Sequence, residues 1–324
     1  MIGLRFLPAR VGNFPRAGAG LLAPVALVAL ALCSACNLTA ITIKGTVDGT
    51  REFTQAKGGE FADPELVGPV IAAGLITNEG TLYYVPDYEP LLLGTIFNNV
   101  AYGVGWLQAS ALEAEINGKY DDAEHYNKRA GLLFARALQL TKRMLRLRDD
   151  GFDKAMASGV ENFKIWVDDN FYEKDDAEVL LTAGLAMLVS MLESEDGLAA
   201  AVDRPYATYL VERSVELDPT IQGGQGLATL GTIWCTVPSM VGGNPKFGYE
   251  LLQRAAALTN RGSHGVLVTT AERCAVALQD RKLYYDLLME VIQAGDVPKY
   301  RLSNKLARKK AERLLKQIDE FFYD

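Results

Sequence analysis

Residues 204–219 read RPYATYLVERSVELDP. Small or apolar residues recur there at three- and four-residue intervals, and the run stops at Asp218-Pro219, which together break a helix. Ala207 and Ser214 are small residues inside that pattern, where a neighbouring helix can approach closely. Working outward, the same design returns on both sides. Upstream, Gly118-Lys119-Tyr120-Asp121-Asp122-Ala123 places a turn glycine before a helix that carries Ala130. Downstream, NPKFGYELLQRAAAL (244–258) puts Gly248 and Ala255 at equivalent places. Ala207 and Gly248 stand 41 positions apart, and Ala123 and Ala207 stand 84 apart, so the period is irregular.

Helical spacing dominates from Asp63 onward, where Asp63-Pro64 starts a helix with an N-cap acid and a first-turn proline. Helices are expected from Tyr88 to about Asn117 and from Asp121 to about Arg148. Further ones follow near 152–167, 175–195, 204–217, 224–237, 245–259, 264–279, 281–293 and 303–322. Breakers such as Asp149-Asp150-Gly151, Gly242-Gly243-Asn244-Pro245 and Gly295-Asp296-Val297-Pro298 separate them. No alternating strand of useful length occurs. The expected fold class is all-α, a stack of helical hairpins over residues 61–324. A single hairpin cannot bury its own apolar face, and stacking supplies the missing cover.

Two segments precede that domain. Residues 1–35 read as a lipoprotein-type signal peptide. Arg5, Arg10 and Arg16 precede an uncharged apolar run, AGAGLLAPVALVALAL (17–32), and then Cys33-Ser34-Ala35-Cys36. Ser34, Ala35 and Cys36 match a bacterial lipobox, although Cys33 stands where leucine is usual. Lipid attachment is expected at Cys36, which would anchor the chain to a membrane surface rather than across it. An uncleaved anchor helix and plain secretion are the other readings. Residues 36–60, polar with scattered Gly and Thr, read as a tether. The expected location is the bacterial periplasm, at either the inner or the outer membrane.

Composition excludes several functions. The chain of 324 residues holds 33 basic and 40 acidic side chains, a net charge of −7. Three of the basic residues lie in the leader, leaving 30 against 40 beyond it and a net −10. So acidic a body is a poor binder of nucleic acid. His125 and His264 are the only histidines. His125 reads as a surface residue, and His264 follows Ser263, read as the N-cap of a helix. No nucleophile–base pair or metal-ligand cluster can be assembled, so no catalytic residue, metal or cofactor is expected.

The hairpin pattern resembles degenerate tetratricopeptide repeats, an α-solenoid in which glycine makes the turn and small residues allow close helix approach. The order of features is similar to a particular family. A lipoprotein signal precedes the uncharged helix LLLGTIFNNVAYGVGWLQASALEAE (91–115) and then VERSVELDP (211–219). A GGNP turn, LLQRAAAL (251–258), AVALQDRKLYYDLLMEVI (275–292) and NKLARKKAERLLKQIDEFF (304–322) complete the order. This resembles the TatT family, tetratricopeptide-like lipoproteins associated with TRAP (tripartite ATP-independent periplasmic) transporters. Two departures stand out: Asn244 where the family often has an acid, and Gly248 where it has alanine. The resemblance implies an accessory role with a periplasmic substrate-binding protein as partner, a small apolar ligand, and no enzymatic activity. It leaves homo-oligomerisation open. The same repeats would equally serve an envelope-assembly scaffold that binds only proteins.

Leu91 to Leu112 is 22 residues without a charge. Asn98, Tyr102 and Trp106 share a face at i, i+4 and i+8, an amide-plus-aromatic stripe suited to a ligand pocket or to core packing. Trp166 and Trp234 read as core. Met240 to Asn244 is a hairpin turn or a partner-facing loop. Cys235 and Cys274 fall on helices of successive repeats, where a disulfide and two buried thiols both fit. The terminal helix is basic over 299–316. It reads as a solvated cap or as a contact for anionic lipid or an acidic partner.

Overall fold

The computed structural model describes residues 19–192 and 197–322, with 19–37, 192, 197–201 and 241 as backbone alone. The signal peptide and Cys36 therefore lie outside the residues described with side chains. The chain divides into two compact units, residues 1–46 and 47–324. Among the described residues all regular structure is helical.

Helix α1 runs Ala19–Lys57, so helix begins well before Asp63 and includes most of the stretch read as a tether. Its threonines are accommodated within the helix. The hydroxyls of Thr42, Thr46 and Thr54 each donate to the carbonyl four residues back, at 2.8, 2.9 and 2.8 Å. The polar groups that disfavour helix in the abstract are satisfied inside it.

The larger unit follows with α2 (Pro64–Tyr84), α3 (Glu89–Tyr102), α4 (Ala109–Ile116) and α5 (Tyr120–Arg148). Then come α6 (Phe152–Ala157), α7 (Val160–Asn170), α8 (Asp176–Leu192), α9 (Gly197–Leu217) and α10 (Gln225–Thr236). The last are α11 (Pro245–Leu258), α12 (His264–Thr269), α13 (Arg281–Gln293), α14 (Arg301–Lys316) and α15 (Ile318–Phe321). Two π-helical turns interrupt the pattern, Gly103–Gln108 between α3 and α4 and Thr270–Ala275 after α12. The helices pack in sequential pairs, chiefly α8 on α9, α10 on α11, α3 and α4 on α5, and α13 on α14.

Local chemistry starts several helices where the sequence places them. Asp63 accepts from Glu65 N at 2.9 Å and Leu66 N at 3.3 Å. Asn244 accepts from Phe247 N, and Asp280 from Leu283 N. Each such cap is worth about 1 kcal/mol. Asn244 thus does the capping for which an acid is expected. Ser263 stands at the N-cap position of α12 but makes no side-chain cap. The N–H of His264 is instead taken by Asn304 Oδ1 from α14, at 2.9 Å. A tertiary contact has replaced the local one.

Gly248 has a packing reason. A Cβ there would stand 2.6 Å from Cys235 Sγ and 2.6 Å from Gly231 O, and one on Gly231 would stand 2.7 Å from Gly248 O. Helices α10 and α11 cross at a distance that alanine would not permit. Around that crossing Leu227, Leu252, Leu267, Tyr284, Leu288 and Leu314 belong to one buried cluster. Trp166 is also core: it stacks on Phe163 and donates to Asp149 Oδ1 at 2.7 Å. Trp234 is partly buried and packs edge-on against Phe247.

Cys235 and Cys274 form a disulfide with Cα atoms 5.0 Å apart, joining α10 to the second π-turn across 39 residues. The basic face of α14 is largely consumed within the molecule. Lys309 pairs with Glu65, Lys310 with Glu272, Arg313 with Glu113, and Arg301 with Asp296. The cap is stitched to α2, α4 and the second π-turn.

The disulfide yields a stability prediction. Closing a loop of this size is worth about 4 kcal/mol on the chain-entropy account and about 2–4 kcal/mol in typical practice. The Cys235→Ser, Cys274→Ser double variant should lose that much in urea unfolding. An unchanged midpoint would contradict the cross-link.

Candidate functional site

The uncharged helix predicted to carry a ligand stripe is α3, the π-turn and α4 in series. Glycine at 103 makes this possible, because a Cβ there would stand 2.3 Å from the Phe134 ring of α5. Tyr102 and Trp106 are four residues apart, a spacing that puts both rings on one helix face. Tyr102 and Trp106 accordingly stack, with centroids 6.0 Å apart and planes 19° from parallel. Tyr102 packs beside Leu107, Ala130 and Phe134. Asn98 lies one turn earlier and is half-buried. The buried amide of this helix is its neighbour Asn99, which donates from Nδ2 to Thr95 O at 2.8 Å.

Trp106 also holds α2. Its Nε1–H donates to Pro64 O at 3.0 Å, and its ring lies where any side chain at 68 would collide. Farther along, Glu79 of α2 receives a two-pronged ion pair from Arg136 of α5, both contacts at 2.6 Å. Few residues of α2 are buried: Pro64, Gly68, Leu75 and Leu82. Its outer face is apolar and open, with Leu66, Val70, Ile76, Tyr83 and Tyr84 exposed. Ile76 is 78% and Tyr83 82% exposed. From Leu66 to Tyr84 the only charge is Glu79, which is turned to Arg136. No motif in the sequence singles out this face. The signal was present in a helix apolar on all sides rather than along one stripe.

Two of the cavities among the described residues lie elsewhere. One, of about 400 Å³, is lined by Glu89, Arg148 and residues 173–176. Two of its charges are engaged with each other: Asp176 accepts from Tyr172 N and Glu173 N at 3.0 Å each and pairs with Arg148. Arg148 in turn covers the Phe171 ring at 4.7 Å. The other, of about 220 Å³, is a slot between α11 and α13 floored by α12. Leu252, Leu267 and Leu287 supply apolar surface, while Tyr249, Gln253, Asp286 and Glu290 supply polar groups.

Arg261 closes the slot by a fork onto both oxygens of Glu290, at 2.8 and 2.7 Å. That contact holds the Glu290 carboxyl below its ordinary range, against the smaller opposing effect of burial. Arg261 sits in the left-handed region with φ +58°, as does Asn260 with φ +50°. For a branched-free but bulky residue this costs about 1–2 kcal/mol. The ion pair, with both side chains over 40% exposed, returns at most about 1 kcal/mol. The left-handed turn also closes the end of α11, because the Arg261 N–H donates to Ala256 O at 2.8 Å.

The sequence family described as TRAP transporter T-component matches residues 60–322. The chain belongs to that family. Membership implies association with a TRAP transporter system, and the family is one of transporter accessory components rather than a known enzyme family. No curated protein matches the chain. No helix among the residues described with side chains is long and apolar enough to cross a membrane. The disulfide of this T-component fits an oxidising, extracytoplasmic compartment.

Two tests follow from these contacts. Trp106→Phe keeps the ring and removes the bond to Pro64 O. It should cost the T-component about 1 kcal/mol and raise hydrogen exchange in α2 more than in α5. Equal protection of α2 in both proteins would mean that the indole does not hold it. The second test concerns His264, which is 4% exposed with Nδ1 unpartnered. Burial, then the nearby Arg308 charge, lowers its pKa, against the opposing pull of Glu290. The unfolded chain, titrating near 6.5, therefore binds the proton first. Stability should fall as pH drops below about 6.5, and His264→Leu should flatten that slope in denaturation measured between pH 7 and 5.

Proposed function

We propose that this T-component is a lipid-anchored periplasmic scaffold of a TRAP-type solute uptake system, and that it binds the partner substrate-binding protein on the outer face of α2. The carrying observation is that face itself: five large apolar side chains, two of them tyrosines, along a helix whose outward side bears no charge beyond Glu65. Protein interfaces favour aromatic anchors and exclude charge from their centres. Monomeric surfaces seldom leave such a run uncovered. The lipid on Cys36 would keep the scaffold at the membrane surface, where the transporter works.

A small apolar ligand would be received by Asn98, Tyr102 and Trp106. The stacked rings lie beneath the start of α2, which is secured there by one indole bond and the close fit at Gly68. Movement of α2 would open the rings, so partner docking on its outside and ligand access on its inside would share one helix.

The test is co-purification of the TRAP substrate-binding protein with Ile76→Asp, Tyr83→Ser. The double variant should keep its helical circular dichroism and lose at least tenfold in partner affinity. Unaltered partner binding would remove α2 from the interface. Recovery of envelope-assembly proteins with no substrate-binding protein would favour an assembly scaffold instead. Cys36→Ala should abolish incorporation of a fatty-acid analogue. Asn98→Leu should weaken ligand binding with melting temperature preserved.

A further inference from the structure

We propose that the slot between α11 and α13 is a binding site for a small amphipathic cation, a primary ammonium on a short apolar tail, with Asp286 as its counter-ion. The shape comes first. The slot holds about 220 Å³, room for a compact tail of several carbons, and its floor and walls are Leu252, Ala256, Leu267, Leu283 and Leu287. An apolar floor with a few convergent polar groups is the usual build of a small-molecule site.

The charges decide the ligand's sign. Three charged side chains line the slot: Arg261, Asp286 and Glu290. Arg261 is committed to Glu290 through two hydrogen bonds, so this cation is neutralised in place and closes one end. Asp286 stands one helical turn before Glu290 on the same face of α13. Its partner is Lys282, whose side chain is 85% exposed and free to swing into water. An incoming ammonium therefore meets one carboxylate held by a weak, solvent-screened competitor. The phenol of Tyr249 and the amide of Gln253 line the opposite wall and can accept the remaining ammonium protons. An anion would find no uncommitted cation among the lining residues. The net −10 charge of the chain beyond its leader adds a field of the same preference.

The site is distinct from the Tyr102–Trp106 rings and stands or falls independently of partner docking on α2.

The experiment compares three probes of equal tail length, hexylammonium, hexanoate and hexanol, by calorimetric titration into the full-length protein in detergent, with detergent-only titrations subtracted. Hexylammonium should bind saturably at one site. Hexanoate and hexanol should bind at least tenfold more weakly. Asp286→Asn should lower hexylammonium affinity at least tenfold while leaving the melting temperature of the free protein unchanged. Lys282→Ala, which removes the competitor, should raise it a few-fold. Equal affinity for all three probes would reduce the slot to an apolar crevice and overturn the proposal. So would an unchanged affinity in Asp286→Asn, or no saturable binding of hexylammonium.

Discussion

The crossing of α10 over α11 depends on an atom that is missing. With no Cβ at Gly231 or Gly248, the two backbones meet at a distance that leaves Cys235 Sγ just above Gly248. That placement lets Cys235 reach Cys274 on the following π-turn, so one close approach sets both the pairing of two helices and the cross-link to the next layer. The buried cluster from Leu227 to Leu314 is built around this junction. Larger side chains at either glycine would separate the pair and forfeit contact throughout the cluster, because interiors packed to this density do not deform continuously.

The two ends of the larger unit are held by different means. At the C-terminus, α14 uses its long cations as cross-braces, reaching Glu65, Glu113 and Glu272 in three separate elements. Each pair keeps at least one partner in contact with solvent, so each contributes modestly alone. Their effect is to fix where the cap lies while Ala307, Ala311 and Leu314 are buried beneath it. Near the N-terminus, α2 has little buried surface and depends on Trp106, Gly68, the Glu79–Arg136 pair and the Lys309–Glu65 brace from α14. A helix so lightly held, and so apolar on its outside, is the natural element for contact with another protein. It is also the natural cover for the rings below.

Much of this was legible in the sequence because it is local. Helix positions follow from periodicity and from caps at Asp63, Asn244 and Asp280, each made within three residues of the helix start. The resemblance carried by VERSVELDP, LLQRAAAL and the terminal basic helix agrees with the family that matches residues 60–322. Expectations that relied on a residue's immediate neighbours were less dependable wherever a distant element intervened. Ser263 yields its cap to Asn304, forty residues away from the His264 N–H it serves. Asn98 shares a face with Tyr102 and Trp106 by spacing alone, whereas the fully buried amide of the helix is its neighbour Asn99, bonded to Thr95 O.

The sequence by itself determined an all-helical chain, its small-residue crossings and its charge balance. These depend on spacing along the backbone and on composition, which folding does not change. Tertiary structure alone decided the Cys235–Cys274 bridge, the inward use of the basic cap, the open face of α2 and the slot closed by Arg261 and Glu290. Each needs two segments remote in sequence to come within a few ångströms. Hydrophobic periodicity says which face of a helix must be covered, but the identity of the covering helix depends on how all the pairs pack together.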